Sequence, residues 1–444
     1  SVLRRNGLYW PFIVFRTSMA SQSPRYKWYV MFLLFLAAGL NYGDRTAITA
    51  VFPLLRKELG MSDIALGATG SFFLWSYAVV SPFAGFLGDR MSRARLLSFS
   101  LAAWSLVMLA SALAQSATQL LALRIVLGIA EAAYIPAATA LIADHHDSDT
   151  RAKAMGIHLA GFSFGMVAGG WLSGYLGDHV GWRPSFTILG GAGLLLAVVC
   201  LATLRDTKAG AATVAGTGEP RLSLLETIRQ LLRVPSFVIL TVELVMSGTV
   251  NWVFINWLPL FFKETFALSL AMAGLHGTLW IQGGRIAGVT LGGLPSDRLA
   301  RKHPRYRLLL MACLYLLAAP ILLTFGVTKS FVAITVAIFF YNLIVGMGYV
   351  NAQPLLCEFL PVHIRSTAIG IMNMSSCLVG GAGILLAGAL KSDVGLAKSF
   401  STLTYAIVAV SLMLMFAYRK ILPKDLERVR VEREMEAKAA MDRA

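Results

Sequence analysis

The chain has 444 residues, 57% of them hydrophobic and 14% charged, with a mean hydropathy of +0.68, which excludes an ordinary soluble globular protein and asks for a bilayer. The formal net charge of +16 does not indicate a nucleic-acid binder, because Lys and Arg fall in short breaks between apolar runs and in the tail, without a basic and aromatic stripe. Cys200, Cys313, Cys357 and Cys377 are scattered in or beside apolar runs with no C-x-x-C spacing, so no metal cage, disulfide framework or cofactor is expected.

In chain order, residues 1–26 read as an N-terminal tail. Its apolar stretch from Leu8 to Phe15 is too short to span, no cleavable signal is evident, and Met19 reads as a candidate native start. A bilayer core needs about 20 apolar residues per helix. Twelve such runs follow, near 27–51, 64–88, 94–114, 117–143, 152–177, 184–204, 235–262, 269–296, 306–326, 330–357, 364–390 and 397–418. The first six form an N-terminal bundle, 27–204, and the last six a C-terminal bundle, 235–418. Between them, 205–234 combines the small-residue run Ala209 to Gly218 with an amphipathic segment, Leu222 to Leu232, and reads as a linker with an interfacial helix. The tail, 419–444, alternates acidic and basic residues at helical spacing and reads as solvated. An even number of spans puts both ends on one side. Lys and Arg crowd the loops, linker and tail of that side, so both termini are expected in the cytoplasm, with the chain in the inner (plasma) membrane.

The two bundles repeat one another. Gly85-Phe86-Leu87-Gly88-Asp89-Arg90-Met91-Ser92-Arg93 follows the second span, and Gly293-Leu294-Pro295-Ser296-Asp297-Arg298-Leu299-Ala300-Arg301 follows the eighth. Arg151-Ala152-Lys153-Ala154-Met155-Gly156 opens the fifth span, and Arg365-Ser366-Thr367-Ala368-Ile369-Gly370 opens the eleventh. A duplicated six-helix unit places a substrate path between the halves, near the midplane.

These motifs resemble the major facilitator superfamily across the length from about Lys27 to Tyr418, which implies an all-α integral membrane fold of twelve transmembrane helices in two six-helix bundles. Asn41-Tyr42-Gly43-Asp44-Arg45 in the first span, with Arg124, Gly128 and Glu131 in the fourth, is similar to the anion:cation symporter branch, which imports sugar acids and other organic anions with protons. The same pattern is also similar to Spinster-like lipid transporters. The resemblance implies that Asp89, Arg93, Asp297 and Arg301 form a gating latch on the cytoplasmic side, and it carries Tyr42, Tyr77 and Asn373 over as pocket residues, though each is also compatible with ordinary packing.

A charge at the centre of a membrane helix costs roughly 2.5–3.5 kcal/mol on insertion scales, so Asp44, Arg45, Arg124 and Glu131 ask for a reason. Arg45 and Arg124 fall at similar depth, about 10 Å from the outer helix ends at 1.5 Å per residue. Arg124 and Glu131 are two turns apart on one face. One reading is structural: Asp44 pairs with Arg124 and Glu131 with Arg45 to neutralise buried charge. The functional reading makes Arg45 and Arg124 the forked donors for a carboxylate or phosphate, and Asp44 and Glu131 the proton sites, since low dielectric favours a neutral carboxyl. Protonating one acid then frees an arginine for an anion.

Other polar residues at membrane depth, Asn251, Asn256, Arg285, Asn351 and Gln353, suit a cavity in the second half, with Arg285 either a third anion contact or a donor to local carbonyls. Glu243 and His276 are open to a relay role or a local structural one. Phe162 stands where sugar-acid symporters often carry a glutamine, which points to a less polar substrate. In the run Gly161 to Gly170, Met166 replaces the proline of an antiporter motif, leaving close helix packing as the simpler reading. Asp144-His145-His146 with Asp147 lacks the partner motifs of a metal phosphoesterase or acyltransferase. The expectation is a transporter and not an enzyme: proton-coupled symport of a small organic anion, with a Spinster-like lipid or amphiphile carrier second. Its partners are the anion, protons and membrane lipids, with no nucleic acid and no metal, and the chain is expected to work as a monomer.

Overall fold

In the computed structural model, which describes residues 24–88, 91–207 and 224–441, each apolar run is helical and no strand occurs among the described residues. The first half contains α1 (Pro24–Ala50), the short α2 (Phe52–Leu59), α3 (Asp63–Gly88), α4 (Arg93–Ala112), α5 (Ala117–Glu131), α6 (Tyr134–His145), α7 (Ser148–His179) and α8 (Arg183–Thr203). After the linker helix α9 (Leu224–Leu232), the second half contains α10 (Pro235–Phe266), α11 (Leu270–Lys302), α12 (Tyr306–Ala318), a 3-10 turn at Ala319–Leu323 and α13 (Thr324–Val327). It ends with α14 (Phe331–Tyr349), α15 (Ala352–Phe359), α16 (Val362–Val394) and α17 (Leu396–Lys420), and a tail helix α18 (Leu422–Met441) follows. Most of the expected N-terminal tail and the small-residue part of the linker lie outside the described residues.

Among the described residues, ten helical stretches are long and apolar enough to cross a membrane on length and composition. The other two expected spans, α1 and α11, have 27 and 33 residues, so they fall short in apolarity and not in length. They carry Asn41, Asp44 and Arg45, and Gln282 and Arg285, and both pack against α7 inside the protein, where polar side chains need not meet lipid. The fourth span is not one helix as expected. It breaks between Glu131 and Tyr134, because Pro136 lacks an N–H and its ring opposes the carbonyl four residues back. Pro354 interrupts the tenth span between α14 and α15 in the same way.

Glycines let these helices touch backbone to backbone. A Cβ at Gly165 of α7 would collide with the Gly39 carbonyl of α1, and one at Gly170 would lie 2.9 Å from the Gly274 carbonyl of α11. The Gly161 to Gly170 run is thus a two-sided packing stripe, with α1 on one flank and α11 of the other half on the second. The duplicated arginines also repeat their geometry. Arg151 donates to the carbonyls of His146 (3.2 Å) and Ala143 (3.2 Å), and Arg365 to those of Leu360 (3.0 Å) and Cys357 (2.6 Å), five and eight positions back in both cases. Each cation closes the carbonyl end of the preceding broken span.

The halves meet through α3 with α16 and through α7 with α11. Trp75 Nε1 donates to the Leu378 carbonyl (2.8 Å) and Ser71 Oγ to that of Gly381 (2.7 Å). Asp178, at the far end of α7, accepts from the Leu270 and Ala271 amides, both at 2.9 Å, and so caps the first turn of α11 across the interface. Beyond these contacts, on the side away from the termini, four charges form a ring: Arg56 pairs with Asp63 and with Glu264 (3.2 Å), and Lys391 with Glu264 (3.0 Å) and Asp63 (3.4 Å). On the side of the termini, a Cβ added at Gly156 or Gly370 would meet only open space. The two halves are latched on the far side.

Candidate functional site

Where α1 faces the break between α5 and α6, three side chains share one hydrogen-bond system. Arg45 Nη2 pairs with Glu131 Oε2 at 3.0 Å, the two side chains being 6% and 0% exposed. Asn41, one turn before Arg45 on the same face, donates its amide to the same Glu131 oxygen at 2.9 Å and accepts from Arg45 at 3.2 Å. Glu131 Oε1 and Arg45 Nε, both buried, have no hydrogen-bond partner among the described residues. The pairing of Glu131 with Arg45 matches the sequence expectation.

Asp44 and Arg124 do not complete the second pair. They interact electrostatically, yet no Asp44 ion pair within 4.0 Å occurs among the described residues, and Asp44 Oδ1 is buried without a hydrogen-bond partner. Arg124 instead points Nη2 at Met108 Sδ (3.5 Å), with its guanidinium 5.7 Å from the Phe186 ring. Gly128 makes room for a neighbouring helix and not for a ligand, since a Cβ there would run into Ser76 and the Phe73 carbonyl of α3.

Rings surround the Arg45 guanidinium: Tyr42 at 4.4 Å, Phe73 at 4.7 Å, Tyr77 at 5.2 Å and, from the other half, Trp252 at 6.0 Å. Cation and ring faces attract most strongly where water is scarce. Phe162 extends this wall, 4.4 Å from the Tyr42 ring, and His158 lies 4.6 Å beyond it, bonded to the Tyr134 hydroxyl at 3.0 Å. Arg45, Arg124, Thr69, Trp252 and Asn256 line a gap with about 20 Å³ of free space, room for about one water molecule.

Across the interface, the Arg285 guanidinium stands over the Tyr349 ring at 5.0 Å and forms no ion pair among the described residues. It and Tyr349 lie within electrostatic reach of the Tyr42 hydroxyl, as does Cys377. Asn373, one turn from Cys377 on α16, is exposed and makes no hydrogen bond among the described residues. Gln353 is also exposed. Asn351 requires a correction: it is fully buried, donates to the Met347 and Gly348 carbonyls, both at 3.1 Å, and accepts a short bond from Ser296, so its amide holds α14 and α11 together and does not face the space between the halves. Asn256 donates to the Trp252 carbonyl (3.0 Å), and Gln282 is engaged by Ser163 (3.0 Å) and Met166 Sδ (2.7 Å).

The expected latch is divided between other partners. Arg93 pairs with Asp144, Asp297 pairs with Arg307 at 2.8 Å, Arg301 is exposed without an ion pair among the described residues, and Asp89 lies outside the described residues. Glu243 accepts from Tyr315 of α12 (2.5 Å) and from Ser247 (3.1 Å), and His276 from Trp280 one turn on (2.8 Å). His145 and His146 bond to Leu141 O and Thr150, and no group of three potential metal ligands occurs among the described residues. Sequence reasoning did not select Asn41, Trp252 or Phe73 for the site. The spacing of Asn41 from Arg45 was a usable signal, whereas nothing in the sequence joins Trp252 to Arg45.

The model of the Major Facilitator Superfamily matches residues 34–384 and, in a second alignment, 245–437. A probable galactarate/D-glucarate transporter of Bacillus subtilis is 28% identical over 307 residues, 64% of this chain and 67% of that protein. Protein spinster homolog 1 of Homo sapiens is 29% identical over 368 residues, 78% of this chain and 69% of that protein. Among solved structures, a bacterial homologue of the human lysosomal transporter Spinster, in an inward-facing and unoccupied conformation, has a TM-score of 0.72 at 21% identity, over 91% of this chain and 98% of that one, a likeness of fold.

Proposed function

This chain belongs to the Major Facilitator Superfamily of membrane transporters, and from that premise we propose that it carries a small organic anion together with a proton by alternating access. The observation that carries the reading is the buried Arg45–Glu131 pair, 3.0 Å long and shared with Asn41, at the space between the halves. While Glu131 is ionised, it occupies Arg45. A proton on Glu131 leaves the guanidinium uncompensated, and an anion entering between Arg45 and Arg285 restores the balance. Asp44, buried with an unpartnered oxygen beside Arg124, is the second candidate proton site. Arg93 with Asp144 and Asp297 with Arg307 act as gate contacts on the side of the termini, which we assign to the cytoplasm by the distribution of Lys and Arg.

Reconstituted protein tests this. Glu131→Gln keeps exchange of a labelled anion across liposomes and loses uphill uptake driven by a pH gradient; undiminished uphill uptake removes Glu131 from the proton path. A second reading, carriage of an amphiphile, draws on the aromatic wall and on the similarity to spinster homolog 1, and copurifying lysolipid would favour it.

A further inference from the structure

The walls of the site can be sorted into groups already bonded and groups still free. Asn41, Asn256 and Gln282 spend their amide donors on partners within the protein, while Asn373 and Gln353 are exposed. A hydroxyl-rich ligand would leave water and find no free amide donor on Asn41, Asn256 or Gln282, and each unmatched polar group weighs against binding. Two cations near the site have no ion pair among the described residues: Arg124 is buried against Met108 and Phe186, whereas Arg285 stands on the Tyr349 ring, with the Tyr42 hydroxyl in electrostatic reach and the Tyr42 and Phe162 rings in contact at 4.4 Å. A forked donor with rings beside it fits a single carboxylate on a flat apolar body.

We propose that the transported anion is an aromatic monocarboxylate, its carboxylate on Arg285 and its ring among Tyr42, Phe162 and Tyr349. The proposal rests on the anion-transport reading and narrows its substrate class. Ring faces and edges attract another ring beyond what burial of equal area gives, so an aromatic acid gains over its saturated counterpart.

The test compares benzoate, cyclohexanecarboxylate, D-glucarate and lysophosphatidylcholine for binding to the purified full chain. Benzoate is expected to bind about five-fold tighter than cyclohexanecarboxylate, which has the same charge and a similar shape but no π face, and tighter still than D-glucarate. Tyr349→Leu should bring the ratio of the first two affinities to about one, and Tyr349→Phe should restore it, which separates ring contact from loss of folding. Equal affinity for benzoate and cyclohexanecarboxylate in the wild type overturns the aromatic assignment, as does tighter binding of D-glucarate or binding of lysophosphatidylcholine alone. Failure of benzoate to be driven by a pH gradient, with its binding preference intact, overturns proton coupling and leaves the substrate class standing.

Discussion

Asn41 lies one turn before Arg45, and its amide divides between the two charged partners, donating to Glu131 and accepting from Arg45. Hydrogen bonds to charged groups contribute about 1.5–3 kcal/mol, and a buried group left without its partner costs more than an exposed one. Asn41→Ala should therefore lower stability by about 2 kcal/mol, read as a drop in Tm of the detergent-solubilised protein. An unchanged melt would mean that water replaces the amide and that the triad is not closed. The charges themselves were legible because an ionised side chain inside an apolar run always stands out. The partner of Asp44 was not, since pairing depends on where the Arg124 side chain turns, and it turns to Met108 and Phe186. Asn351 was misplaced for a related reason: its polarity announced a cavity, but Ser296 and two carbonyls absorb it.

At the scale of elements, the broken fourth span and the glycine stripe of α7 set the site. Pro136 ends α5 beside Glu131, and Gly165 lets α1 approach closely enough to deliver Arg45. Gly165→Val would force the Gly39 backbone away, and overpacking of this kind costs about 1–3 kcal/mol, so reduced yield and a lower Tm are expected, with normal stability contradicting the close approach. The repeated arginines act on helix ends. Arg365→Ala should cost about 1 kcal/mol by releasing the Leu360 and Cys357 carbonyls, measured by thermal unfolding against Arg365→Lys, which lacks the fork. The span positions and the duplication could be read from the sequence, because apolar length and motif spacing are local properties. Their breaks were missed because a proline inside a long apolar run is tolerated in membrane helices often enough to look innocent.

For the whole molecule, the ring of Arg56, Asp63, Glu264 and Lys391 ties the halves together on the side away from the termini. It was invisible in the sequence, where Asp63 and Lys391 stand 328 positions apart, each just outside an expected span. Partly exposed ion pairs contribute about 0.2–1 kcal/mol each, so Lys391→Ala should move the balance between the two open states several-fold towards the far side, seen as greater accessibility of a cysteine placed on the far half of α3. Accessibility identical to that of the parent would make the ring an ornament of one conformation. The central claim, that one site exchanges an anion against the ionisation of Glu131, predicts a proton movement that can be measured directly. In weakly buffered detergent solution near neutral pH, the wild type should take up about one proton for each anion bound, by linkage between the two ligands, and Glu131→Gln should take up none while still binding the anion. Anion binding by the wild type with no change in pH, or proton uptake that persists in Glu131→Gln, would contradict it.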